Sequence, residues 1–513
     1  MVLNVIVVIF CVQRYKIIDN WQLIIANYFV PLHEIMTIIA VVLAYFALLF
    51  AFSRWTARRA TNETFFRADR QSPWYMVAFG MVGASISGIT FVSVPGMVMR
   101  SQMTYLQTCM GFILGYVVVA FVLLPLYYRL NLTSIYAYLG QRLGRRSHQT
   151  GSWFFLLSKM AGAAVKFYVV CIILQRFVFS PLGVPFAATV VGLVLLIWLY
   201  TRQGGIKTLV WTDSLQTLCL FTALLIIIYK VSTDLNLSLA GVVSTVGSHE
   251  LSRVFVWDDW VSKQLFWKQF LSGAFIVIVM TGLDQDMMQK NLTCKTLRGA
   301  QKDMCTYGVA FLPANALFLA LGVLLTVWYQ RQGMALPDTP DDLLPQYISL
   351  TSNLSPLTSI FVLGIVAASF SSADSALTSL TTIYCVDIMR QKDDERLRKW
   401  THLAMCVIFV LFILLFRAVN STSLIDAIYI IVSYTYGPLL GLFAYGLLTK
   451  RRVNDRLVPY IAVVSPVLCY AIDYGVGQST GYHFGYELLM LNGLLTFLGL
   501  YLSSQLSVPQ NTP

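Results

Sequence analysis

The chain has 513 residues, of which 57% are apolar and only 12% charged. Soluble domains carry about 25% charge, so a large cytosolic enzyme is excluded. Lys and Arg exceed Asp and Glu by 12, and the placement of that excess, not its size, decides whether it points to nucleic acid or to a membrane.

A hydrocarbon core about 30 Å thick needs roughly 20 apolar residues per helix. On that ruler thirteen spans follow in chain order, near 34–53, 73–98, 105–128, 150–175, 183–201, 206–229, 265–288, 303–328, 356–388, 400–418, 423–448, 457–475 and 484–503. The opening stretch "MVLNVIVVIFCV" is too short to cross and receives no span, so residues 1–33 form a separate N-terminal segment, with Met36 an alternative start. Cysteines and histidines are scattered through these runs without disulfide or metal-ligand spacing. P-loop, GxSxG and GxGxxG motifs are absent, which argues against an ATP-driven pump and against an enzyme.

Several spans carry polar groups at depth, where each is costly and therefore a functional candidate. The second span reads "PWYMVAFGMVGASISGITFVSVPGMV", with Gly83, Gly88, Pro95 and Gly96 weakening the helix and Ser85, Ser87 and Thr90 supplying hydroxyls. Either it breaks at mid-membrane and exposes carbonyls to a cation, or its small residues let another helix approach. The fourth span places Lys159 and Lys166 on nearly one face. Lys159 is within snorkelling reach of the inner surface. Lys166 lies deeper and needs a carboxylate, either the protein's own or a cargo's.

Asp213 falls two turns into the sixth span, as a cation ligand or as the partner of a lysine on another helix. The seventh span ends "MTGLDQDMMQKNL", where Gly282 marks a second break. Asp284, Asp286 and Gln289 there either line a mouth or pair with Lys290. The ninth span gathers Ser371, Ser372, Asp374, Ser375 and Thr378 within about two turns. Oxygen ligands with one carboxylate suit a hard monovalent cation, although serines can also cap their own helix.

Lys and Arg alternate by loop. Loops around Arg54–Arg70, Arg129–Arg146, Arg202–Lys207, Lys290–Lys302, Arg390–Lys399 and Lys450–Arg456 hold 24 of them, and the opposite loops hold seven. The rich side is cytoplasmic, so the chain after residue 33 starts outside and the carboxyl end lies inside. The net charge is thus topological, and a nucleic-acid partner is excluded.

The segments "FFRADRQSPWYMVAFGMVGASISGITFVSVPG", "GGIKTLVWTDSLQ", "TGLDQDMMQKNL", "SSADSALTSL" with its following "VDI", and "YTYGPLLG" fall in the order and spacing of a known family. Over about residues 35–500 the chain resembles the sodium/solute symporters, and among them the sialic acid, sugar and organic acid carriers. The resemblance implies an all-α integral membrane fold shared with the neurotransmitter/sodium symporters, with two broken helices in a five-plus-five inverted repeat. The repeats would be 73–229 and 265–448, preceded by the 34–53 helix, joined by an outer connection at 230–264 and followed by two helices over 457–503.

It also implies a sodium site formed by the carbonyls of Gly83, Ile86 and Ala368 and the hydroxyls of Ser371 and Ser372. A second sodium or proton site would use Asp213, Ser371, Asp374 and Ser375. A serine is the pattern expected where Asp374 stands, so the second ion's identity is open. Ser85, Ser87, Thr90, Phe91, Gln107 and Lys166 would line the cargo pocket, closed by Tyr434 and Tyr436. The expected activity is uptake of a small organic solute, a carboxylate such as a sialic acid or another sugar or organic acid, driven by sodium across the cell (inner) membrane through alternating access. No obligatory protein partner is evident. A proton-coupled or uncoupled permease on the same fold is the alternative.

Overall fold

The computed structural model describes residues 32–56, 61–260, 262–351, 356–419, 424–482 and 484–505. The expected N-terminal segment 1–33 therefore lies almost wholly outside the described residues, as do Arg58 and Arg59 of the first basic loop. Among the described residues the protein is helical, and its one β pairing is an isolated bridge between Ser72 and Cys294.

We number the membrane-length elements only. Helix α1 (Leu32–Thr56) leads, followed by α2 (Trp74–Ser85) and α3 (Gly88–Ser101). Next come α4 (Tyr105–Arg129), α5 (Arg145–Phe179), α6 (Phe186–Arg202) and α7 (Gly205–Asp234). The second half has α8 (Phe266–Gly282), α9 (Gln285–Asn291), α10 (Leu297–Arg331), α11 (Leu357–Ile388) and α12 (Glu395–Val419). It ends with α13 (Leu424–Thr435), α14 (Gly437–Leu448), α15 (Val458–Thr480) and α16 (Leu488–Gln505). Nine single helices are long and apolar enough to cross a bilayer, and two bent pairs bring the number to eleven among the described residues. The two remaining sequence spans coincide with α6, which is a turn short, and with the split pair α13 and α14.

Both expected breaks are present. Helices α2 and α3 meet at 60°, and α8 and α9 at 69°. At the first, Ile86 and Ser87 adopt extended backbone (ψ 90° and 173°), so the helical ladder stops and the last carbonyls of α2 lose their intrahelical donors. At the second, Asp284 is extended and caps α9 by accepting from the N–H groups of Asp286 (2.9 Å) and Met287 (3.4 Å). Ser72 N–H donates to the Thr293 carbonyl at 3.1 Å and joins the segment that leads into α2 to the segment that follows α9.

The close-packing reading of the second span holds as well. A Cβ on Gly83 would come within 1.9 Å of the Thr217 hydroxyl, so α2 lies against α7 at a distance only glycine allows. Helix α11 lies at the centre, buried at nearly every position from Leu357 to Ile383 and packed against α2, α3, α5 and α7. The connection after α7 holds a further helix, Leu239–Ser248, and a single turn at Glu250–Ser252.

Candidate functional site

The end of α2 meets α11. The Ser372 hydroxyl donates to the Ala84 carbonyl at 2.9 Å and reaches the Ala368 carbonyl at 3.4 Å, so the hydroxyl-rich helix bridges directly to the break. At the end of α2 the carbonyls of Gly83, Ala84 and Ser85 lose their intrahelical donors. Uncharged carbonyl and hydroxyl oxygens are the ligands an alkali cation takes in exchange for its water. Ser371, one residue earlier, turns the other way and donates to Asp213 Oδ1 at 2.7 Å.

A second buried polar cluster therefore lies next to the first. Asp213 Oδ2 is 2.8 Å from Lys290 Nζ, with both side chains 1% exposed. Lys290 was counted above with a cytoplasmic loop, but it is an interior residue on α9 that neutralises Asp213 across the fold. Asp374 accepts from the Tyr200 hydroxyl at 2.6 Å and from Ser375 at 3.2 Å. Lys290 pairs with Asp213 alone, and Asp374, held by two hydroxyls, has no ion pair among the described residues; a buried carboxylate in that position is offset by a proton or a cation.

Beside the α2 break is a cavity of about 140 Å³. Ser85, Ser87 and Thr90 line it from the first break, Lys166 from α5 and Tyr436 from the α13–α14 junction. The other expected lining residues lie elsewhere. Phe91 is fully buried and packs edge-on against Phe318 at 5.3 Å. Gln107 is consumed by the outer connection: its Nε2 donates to the Gln264 carbonyl at 2.9 Å, and its Oε1 accepts from Val256 N–H at 3.2 Å. Tyr434 sits beside Tyr470, away from the cavity lining.

Lys159 does not snorkel. It lies 2.7 Å from Asp286 and 3.1 Å from Asp284, and Tyr436 donates its hydroxyl to the same Asp284 at 2.7 Å. Asp284 and Asp286 therefore answer to Lys159, and Lys290 answers to Asp213, which removes the pairing of Asp284 and Asp286 with Lys290 considered above. Lys166 also lines the cavity, and among the described residues no ion pair reaches it. Tyr307 was not singled out in the sequence. Its hydroxyl hydrogen-bonds Ser85 at the break, and its ring meets Tyr116 at 4.5 Å. Nothing local in "MCTYGVAF" signals that role, because its partners are on distant spans.

An all-helical membrane chain with two broken helices and a cavity with polar lining residues beside one break has the architecture of a multi-pass secondary transporter. The Sodium:solute symporter family profile matches residues 65–456, and the chain belongs to that family, in which sodium is the co-transported ion. It is 25% identical over 447 residues to the sodium/sialic acid symporter NanT of Aliivibrio fischeri, covering 83% of this chain and 86% of that protein. It is equally similar, over 440 residues, to the sodium/sialic acid symporter SiaT of Proteus mirabilis, covering 82% and 85%. A solved Na+-coupled sialic acid symporter in a substrate-bound outward-open state superposes with a TM-score of 0.79 at 22% identity, covering 92% of this chain and 98% of that one. The fold is therefore that of a sodium-coupled inverted-repeat symporter.

Proposed function

We propose that this symporter moves a small organic anion with sodium, and that Lys166 holds the anion's carboxylate. The observation that carries this reading is the Lys166 ammonium, which lines the cavity beside the α2 break and has no ion pair among the described residues. A partly buried cation without a paired counter-charge is costly, and a cargo carboxylate offsets that cost when it binds. The sialic acid named for the relatives is itself an organic acid and fits the same requirement. Gly83, Ile86, Ala368 and Ser372 are the proposed sodium ligands, whereas Ser371, expected among them, is turned to Asp213 and belongs with the second cluster. Ion binding there fastens α11 to the break beside the cavity, so the ion and the cargo favour the same state. One sodium entering through 100 mV contributes about 2.3 kcal/mol from the potential alone.

The proposed repeats are 73–229 and 265–448, with 230–264 outside, the carboxyl end cytoplasmic and the whole in the cell membrane. The test is uptake of radiolabelled organic acids into proteoliposomes with sodium replaced outside by choline. Uptake and counterflow collapse in choline under this reading, and undiminished uptake refutes the sodium coupling. Asp374 favours one further reading: a proton or second cation at Asp213, Asp374 and Ser375, because Lys290 neutralises only one of the two carboxylates. Asp374→Ser then changes the pH dependence or the sodium Hill coefficient of uptake.

A further inference from the structure

We infer that the connection between α7 and α8 rests on the bilayer as a strap, anchored at both ends in the headgroup–acyl boundary of the leaflet where those helices emerge. This inference goes beyond the transport reading above and depends only on the membrane class of the chain. The first anchor is the helix Leu239–Ser248, "LAGVVSTVGS", which carries no charged residue and buries none of its side chains. Val242 and Val246 lean on the body of the protein, where the helix packs on α10. Leu239 and Val243, one turn apart on another face, are 87% and 73% exposed. The span α7 ends at Asp234, so Leu239 lies within about 18 Å of it. An apolar face held at that level meets lipid, into which such helices sink by about 5–10 Å.

The second anchor is an aromatic knot. Phe255 stacks on Trp257 at 5.7 Å, and Trp257 meets Phe266 at 4.2 Å and Trp267 at 6.3 Å. Trp267 and Leu271, at i and i+4 on α8, are both exposed and mark the lipid-facing side of that span. Lys268 donates to the Trp260 carbonyl at 2.8 Å, which fixes Trp260, 72% exposed, beside the first turn of α8. Trp257 and Trp260 therefore continue the lipid-facing side of α8 to the level where indole rings favour the headgroups. Between the anchors the chain stays at the water side, since Glu250, Arg253, Asp258 and Lys263 are exposed. There it crosses the corner between α3 and α4: Met103 N–H donates to the Arg253 carbonyl at 3.1 Å, and Thr104 Oγ1 to Gln264 Oε1 at 2.8 Å. Residues 235–268 hold three acidic and three basic residues, so apolar burial, not attraction to anionic lipid, holds the strap down. The anchors sit on different spans, α10 and α8, which a single membrane surface reaches at once.

The test places the full-length protein in phosphatidylcholine nanodiscs that contain a phosphatidylcholine with a diazirine at the top of its acyl chain. After irradiation, peptides carrying lipid adducts are mapped by mass spectrometry, and the number of copies per disc is measured by mass photometry. Adducts are expected on Leu239–Ser248 and on the residues from Phe255 to Trp267, in equal yield at low and high salt. Val243→Asp puts a carboxylate where the boundary excludes it, and is expected to lower adducts on its own helix about threefold or more while leaving those on the aromatic knot unchanged. Adducts missing from either stretch, or lost at high salt, overturn the inference. Adducts missing from the helix in discs that hold two copies assign that face to a second chain, which overturns it as well. The wild-type map decides the matter even where the variant does not insert.

Discussion

Ser372 is a single hydroxyl holding two helices together, since it donates to a carbonyl at the end of α2 while rooted on α11. A hydroxyl both donates and accepts, so the same oxygen turned toward a sodium ion becomes a ligand without any backbone movement. Ser372→Ala removes that oxygen, and a contact to a charged group is commonly worth about 1.5–3 kcal/mol. The half-saturating sodium concentration for uptake is therefore expected to rise about tenfold or more, and an unchanged sodium dependence would remove Ser372 from the site. Asp213 and Lys290 make a different demand. Lys290→Met leaves a buried, unpaired carboxylate and is expected to cost about 3–5 kcal/mol, read as a lowered unfolding temperature in detergent. The double variant Lys290→Met/Asp213→Asn is expected to recover most of that loss. Recovery by less than half would mean that the pair is not the local charge balance. The sequence showed Ser372 and Asp213 to be costly at their depth but assigned Lys290 to a loop, and it did not show who answers whom. Lys290 and Asp213 are 77 positions apart, and a long-range ion pair leaves no mark in spacing or periodicity. Gln107 illustrates the same limit: it was legible as a buried amide near a pocket, while its actual partners, Val256 and Gln264, are in a loop with no recognisable pattern.

At the scale of helices, local chemistry was far more legible. Gly83, Gly88 and Pro95 weaken the second span, and Gly282 precedes the second break, because missing side chains and missing donors act where they stand. The structure puts the actual breaks a few residues on, at Ile86–Ser87 and Leu283–Asp284, and at the second site the decisive residue is the aspartate that caps α9. The turn between α6 and α7 depends on Gly205, whose φ of +50° and ψ of −135° lie where side-chain-bearing residues are strained. A Cβ there would also come within 2.5 Å of the Phe65 ring. Gly205→Ala is expected to destabilise the fold by about 1–3 kcal/mol, read as lower yield and a lower unfolding temperature. Wild-type stability in this variant would show that the kink forms without glycine.

At the scale of the whole molecule, the alternation of Lys and Arg between loops sets the proposed topology, from which Lys290 drops out because it belongs to the interior. An epitope at the carboxyl end is therefore expected to resist protease in right-side-out vesicles, while the stretch between Ser248 and Phe266 is cut. The reverse result would invert the assigned topology. Composition and length gave the membrane class, since they require no knowledge of contacts. They could not give the cavity, which exists only where helices from both halves of the chain, from α2 to α13, converge. The enclosure of α11 has one more consequence. Only 22% of the apolar stretch of α15 and 28% of that of α1 is covered by other helices, against 89% for α11. Lipid tails therefore press on the periphery far more than on the central axle. A thinner or thicker bilayer is accommodated by tilting those outer staves, which leaves the central rod insulated from the thickness of the host membrane.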